Sequence, residues 1–134
     1  MPRVLVVDDE KQIRGLLSRI LVQAGYEVHT AANAQAAIEM CAPPASFDVI
    51  VADVVMPGMD GHELARRVAI QSPNSRVILM SGFDPGCVEC PYVDTCPRLP
   101  KPFGPKDITT LLSEVLAQPA RPRRTAAEPD RSED

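Results

Sequence analysis

Short apolar runs alternate along the chain with stretches in which apolar residues recur at helical spacing. Val4-Leu5-Val6-Val7 is a continuous run that stops abruptly at Asp8-Asp9, the pattern of a strand covered on both faces. Ile13, Leu16, Leu17, Ile20, Leu21 and Ala24 then follow the i, i+3, i+4, i+7 spacing of one helix face, and Gly25 supplies the stop. Glu27 to Ala31 predicts a second strand, and Ala34 to Ala42 a second helix closed by Pro43-Pro44. Val49-Ile50-Val51-Ala52 is a third buried run, and it too ends in an aspartate, Asp53. Asp60 stands where it can cap a helix carrying Leu64, Ala65, Val68 and Ala69, which stops before Pro73. Val77-Ile78-Leu79-Met80 predicts a fourth strand, followed by Ser81-Gly82, and Ile108, Leu111, Leu112, Val115 and Leu116 mark a closing helix.

Strands alternating with helices of roughly 10–14 residues mean βαβ units. The expected fold is therefore α/β, a doubly wound five-stranded parallel sheet with helices on both faces. Two stretches break the rhythm. Between Ser81 and Lys101, Pro85, Pro91, Pro97 and Pro100 cannot all sit inside a regular helix. The fourth helix of the series is accordingly expected to be shortened or irregular. The tail is polar, contains proline and lacks aromatic and β-branched aliphatic residues, and its four arginines and four acids cancel. Residues 1–117 are thus expected to form the domain, and residues 118–134 a disordered tail.

Composition narrows the function. A chain of 134 residues with 45% hydrophobic and 24% charged residues matches an ordinary globular protein. It can bury roughly 65–70% of its unfolded surface in one domain. The net charge of -4 argues against a general nucleic-acid or membrane-surface role. No apolar run approaches the ~18 residues of a membrane span, and MPRVLVVDDE lacks the layout of a signal peptide. A cytoplasmic location follows as the expectation, with the four cysteines mostly reduced.

Three buried strands end in polar groups: Asp8-Asp9, Asp53 and Ser81. In an open parallel sheet the carboxyl ends of the strands form the ligand crevice, so these groups can converge there. Carboxylates crowded together repel one another unless a cation sits among them. A hard divalent ion with oxygen ligands answers that need, and Mg²⁺ suits it best. Lys101, beyond the fifth strand, could bring an ammonium to the same crevice. Taken singly, Asp8 or Asp9 could cap the first helix and Asp53 could start a turn. All of them together, with a lysine followed by proline at that topological place, are hard to reconcile with chance.

The segments VLVVDDE (4–10), DVVMPGMDG (53–61), VILMSGF (77–83) and LPKPF (99–103) together resemble the receiver domain of two-component response regulators. The resemblance covers about residues 3 to 117 and is chemotaxis-regulator-like, with a flavodoxin-like fold. It implies that Asp53 is the phosphoacceptor, attacking a phosphohistidine to become a 4-aspartylphosphate. It implies Asp9, Asp53 and the Val55 carbonyl as Mg²⁺ ligands, with Asp8 acting largely through water. Ser81 would hydrogen-bond the phosphoryl oxygen and Lys101 would pair with the phosphate, with Pro102 beside it. The implied partners are a sensor histidine kinase or histidine phosphotransfer protein and a downstream protein target, with no nucleic acid and no membrane. The protein would be a stand-alone regulator, a monomer or weak homodimer, catalysing only its own phosphorylation and dephosphorylation. The chemistry agrees: phosphoryl transfer needs positioning and neutralised oxygens more than covalent help.

Two departures stand out. Arg98 occupies the place of the family's aromatic switch residue, three before the lysine. A guanidinium stays charged and cannot bury as a ring does, so Arg98 is expected to reach solvent and the output face to be used differently. Cys87, Cys90 and Cys96 read C-x-x-C-x5-C in the proline-rich piece. They could be soft-metal ligands completed by Asp84 or Asp94, a thiol–disulfide pair, or free thiols, with Cys41 remote in the second helix. The alternatives are therefore a phosphorylation-independent interaction module, or a redox or metal sensor centred on this loop. His29 and His62 read as structural or solvated, and the methionines as packing. The resemblance also implies that the residues two after the phosphoacceptor and two after the hydroxyl border the path of hydrolytic water; here they are Val55 and Phe83, both apolar.

Overall fold

The computed structural model describes residues 2–42, 47–56, 58, 59, 61–72, 74–81, 98–100 and 103–117. The apolar runs form strands β1 (Arg3–Val7), β2 (Glu27–Ala31), β3 (Val49–Asp53), β4 (Arg76–Ser81) and β5 (Arg98–Pro100). Between and after them lie α1 (Lys11–Gln23), α2 (Ala34–Met40), α3 (Gly61–Gln71) and α4 (Pro105–Ala117). The sheet order is β2-β1-β3-β4-β5 with every pairing parallel. The chain thus starts inside the sheet and winds outward in both directions, as the alternation predicts. Residues 43–46, Asp60, the piece from 82 to 97 and the tail 118–134 lie outside the described residues. The expectations of an irregular fourth helix and a disordered tail fall there.

The unbroken apolar runs are explained by two cores, one on each face. Leu5, Val7, Ile50, Ala52, Val77 and Leu79 pack with Leu64 and Val68 of α3 and Ala34 and Ala37 of α2. The alternate residues Val4, Val6, Val49, Val51, Ile78 and Met80 pack with Leu17 and Leu21 of α1 and Ile108, Leu112 and Val115 of α4. Neither side of the central strands meets water, so neither can afford polar residues.

Local signals set the helix ends. Gly25 takes φ 100 and its N–H donates to Val22 O at 3.0 Å, while the Tyr26 N–H donates to Leu21 O at 3.1 Å; these are the two bonds of a Schellman stop. Asn33 caps α2 by accepting the Ala36 N–H at 2.8 Å, and α2 ends at Met40, two residues sooner than its periodicity suggests. Pro105 opens α4 at the position where a missing N–H costs least, and Asp107 Oδ2 accepts the Gly104 N–H at 2.7 Å. Neither aspartate caps α1: Glu10 stands at the cap and provides no side-chain bond. Among the described residues, no helix is long and apolar enough to cross a membrane.

Candidate functional site

Register places the carboxylates. Val7 of β1 lies opposite Ala52 of β3, so the next residues, Asp8 and Asp53, leave the sheet side by side at its carboxyl edge. One oxygen from each of Asp8, Asp9 and Asp53 lies within 4.8 Å of the others. Asp8 is fully buried and Asp53 is 7% exposed, while Asp9 faces solvent. The donor set is all oxygen, the chemistry that suits a hard divalent cation. These residues therefore fit the Mg²⁺ that the sequence resemblance implies.

Asp8 is tied down at three atoms. Its N–H donates to Ala31 O at 3.2 Å, its Oδ1 accepts the Glu10 N–H at 2.8 Å, and its carbonyl accepts Arg14 Nη1 at 2.7 Å. Asp53 Oδ1 accepts the Val55 N–H at 3.3 Å. The turn-forming role considered for Asp53 is therefore real, and it coexists with the cluster. The Val55 side chain stands 75% exposed beside the site.

The loop after Asp53 is shaped by glycine. Gly58 takes φ 77, a left-handed conformation that a Cβ disfavours. Gly61 lets α3 start directly against β3: its N–H donates to Val54 O at 2.9 Å. A Cβ there would meet Asp53 O at 2.6 Å and the Val54 Cα at 2.9 Å. A depression of about 450 Å³ borders the cluster, lined by Asp9, Asn33, Gln35, Gly58 and Met59 among others.

Ser81 ends β4 one residue past the Asp53–Met80 pairing, and Pro100 lies opposite it at the end of β5. The backbone thus reaches the same edge, immediately before Lys101. The Ser81 and Arg98 side chains, Lys101, Pro102, Phe83, Cys87, Cys90 and Cys96 lie outside the described residues. His29 has an ordinary role in β2: its Nε2 lies 2.9 Å from Glu27 Oε2 and its ring meets Phe47 edge-on at 5.6 Å. The His29 and Arg3 hydrogen bonds hold the Glu27 carboxyl below its usual value. Cys41 is buried at the end of α2, and burial pushes its thiol up. Arg14 and Gly61 were not legible as site residues. Arg14 acts on a carbonyl that no sequence pattern displays, whereas a glycine opening a helix is a usable sign of close backbone approach.

The family model of the response regulator receiver domain matches residues 4–113. The chain is 37% identical over 116 residues to the sensor kinase CckA of Brucella abortus, covering 84% of this chain and 12% of that protein. It is 32% identical over 117 residues to the transcriptional regulatory protein FixJ of Bradyrhizobium diazoefficiens, covering 86% and 57% respectively. The chain therefore spans less than two thirds of these curated relatives. Among solved structures, chemotaxis protein CheY4 of Vibrio cholerae superposes with TM-score 0.74 at 34% identity, covering 86% of this chain and 98% of that one. The response regulator TrrA of Thermotoga maritima, in complex with Mg²⁺-BeF, superposes with TM-score 0.72 at 28% identity, covering 86% and 99%.

Proposed function

Since this chain belongs to the response regulator receiver domain family, we propose that it accepts a phosphoryl group on Asp53 and reports that state through protein contacts. The observation that carries this reading is the convergence of Asp8, Asp9 and Asp53 within 4.8 Å at the carboxyl edge of the sheet. The donor is a phosphohistidine on a sensor histidine kinase or histidine phosphotransfer protein. Receiver domains of two-component systems work with such kinases and with downstream targets, and the downstream partner here is a protein. The reading places residues 1–117 in the receiver and the protein in the cytoplasm.

An Asp53 carboxylate oxygen attacks the phosphorus in line with the leaving imidazole. The P–O bond forms as the P–N bond breaks, and the electron pair returns to the imidazole nitrogen. The Val55 N–H holds Asp53 Oδ1 at 3.3 Å and so orients the carboxylate for attack. Asp9, Asp53 and the Val55 carbonyl would hold Mg²⁺, with Asp8 acting through water. When bound, the ion neutralises the carboxylates and the phosphoryl oxygens. The Ser81 hydroxyl and the Lys101 ammonium receive the remaining phosphoryl oxygens. Catalysis is confined to the protein's own phosphorylation and dephosphorylation.

The test is incubation with acetyl phosphate and Mg²⁺, followed by intact-protein mass measurement. Wild type should gain one phosphoryl group, while Asp53→Asn, which keeps size and loses the nucleophile, should gain none. Equal labelling of the two proteins would overturn the assignment, and no labelling of wild type would favour an interaction module instead.

A further inference from the structure

The carboxylate cluster rests on two central strands and on one connection, and the connection is its weaker support. Asp53 ends β3, and Asp8 directly follows β1 and is also pinned to the edge strand β2 through its N–H. Asp9 and Glu10 belong to no strand or helix; they bridge β1 to α1. Among the described residues, two hydrogen bonds made by side chains brace that bridge. Asp8 Oδ1 takes the Glu10 N–H at 2.8 Å, and the Asp8 carbonyl takes Arg14 Nη1 at 2.7 Å. Arg14 sits in the first turn of α1, half-buried, with its own N–H on Glu10 O at 3.1 Å.

We propose that Arg14 is a positioning residue for the cation site, clamping the Asp8 carbonyl to α1 and so fixing the bend that presents Asp9 beside Asp8 and Asp53. It acts through the main chain. A guanidinium suits this task because its charge is permanent and its donors are held in a rigid plane, and a charged donor makes the stronger bond to a carbonyl. Without the clamp the bridge keeps its covalent ends but loses a side-chain hydrogen bond that braces it. Asp9 then samples positions away from the cluster, and the ion meets a less organised donor set. The inference rests on the receiver reading, because it takes Mg²⁺ as the ion.

The experiment titrates the full chain with MgCl₂ by calorimetry, at a temperature where circular dichroism shows every variant folded. Arg14→Met keeps the apolar stem and removes the donor. It should weaken Mg²⁺ binding by roughly tenfold, the lower end of what losing an outer hydrogen bond costs a metal site. Arg14→Lys, a charged donor, should recover part of the affinity, and Arg19→Met, which removes an exposed charge of the same helix, should bind like wild type. In metal-free protein, amide exchange at Glu10 should quicken in Arg14→Met. Unchanged Mg²⁺ affinity in Arg14→Met overturns the proposal. Weaker binding without faster Glu10 exchange also overturns it, since the loss would then not come from a loosened bridge. A wild type that binds no Mg²⁺ removes the phosphoacceptor reading, and the proposal with it, while the family membership stands.

Discussion

Two side chains carry separable consequences at the residue scale. Val55 is 75% exposed beside Asp53, and an isopropyl group cannot hold a water for in-line attack. With Phe83 apolar as well, phosphorylated Asp53 should lose its phosphate slowly. Val55→Asn combined with Phe83→Glu should speed that loss roughly tenfold, or ~1.4 kcal/mol of barrier; decay of the phosphoprotein followed by mass spectrometry checks it. Glu27 is the second case. Hydrogen bonds from His29 and Arg3 lower its pKa below the ordinary 4.5, so the folded state binds that proton less readily than the unfolded chain. The stabilisation is complete above 4.5 and is lost as pH falls through the lower folded value. Melting temperatures of wild type and Glu27→Gln should therefore differ near neutrality and converge in acid, by a small amount because the pair is exposed. The aspartates of the cluster were legible because Asp8-Asp9 and Asp53 stand where runs of buried apolar residues end. Asn33 and Arg14 were not, since a cap and a carbonyl clamp are ordinary polar residues until the backbone is folded around them.

The elements turn on glycine and on where helices begin. Gly61→Ala would press a methyl group into the β3 backbone, 2.6 Å from Asp53 O. Overpacking of this kind costs ~1–3 kcal/mol, and here the displaced strand end is the one bearing Asp53, the proposed phosphoacceptor. Urea denaturation should show the loss, and acetyl phosphate labelling should slow in parallel. Gly58→Ala separates the two effects. Its added methyl meets nothing within 4 Å, so only the left-handed backbone is strained, at ~1–2 kcal/mol. Stability should fall while labelling is largely kept. Periodicity located every described helix, but it overran α2, because the buried Cys41 continues the apolar spacing after the backbone has left the helix at Met40.

At the scale of the whole molecule, the sheet divides the described residues of the interior into two cores that share no side chains. Ile50 and Ile108 are both fully buried, one in each core. Ile50→Val and Ile108→Val should each cost ~0.5–1.5 kcal/mol. The double variant should equal their sum within about 0.5 kcal/mol, as for sites without common neighbours, which chemical denaturation can measure. The two-core architecture was readable because runs such as Val4–Val7 and Val49–Ala52 show no alternation with polar residues. What the proline-rich piece does between β4 and β5 was not, since proline says where a helix fails and not what replaces it.

The strand order has a further consequence, for aggregation. The apolar runs of β1 and β3 are of the kind that can stack into cross-β assemblies, and both are walled in by hydrogen-bonded neighbours on each side. The rims are poor templates by comparison. Among the described residues, β2 carries a carboxylate, an imidazole and a hydroxyl along five residues, and β5 offers three residues, one of them a proline. Short edges that bear charge or proline discourage a second chain from adding a strand. The hazard therefore belongs to the opened chain, in which those runs lose their neighbours.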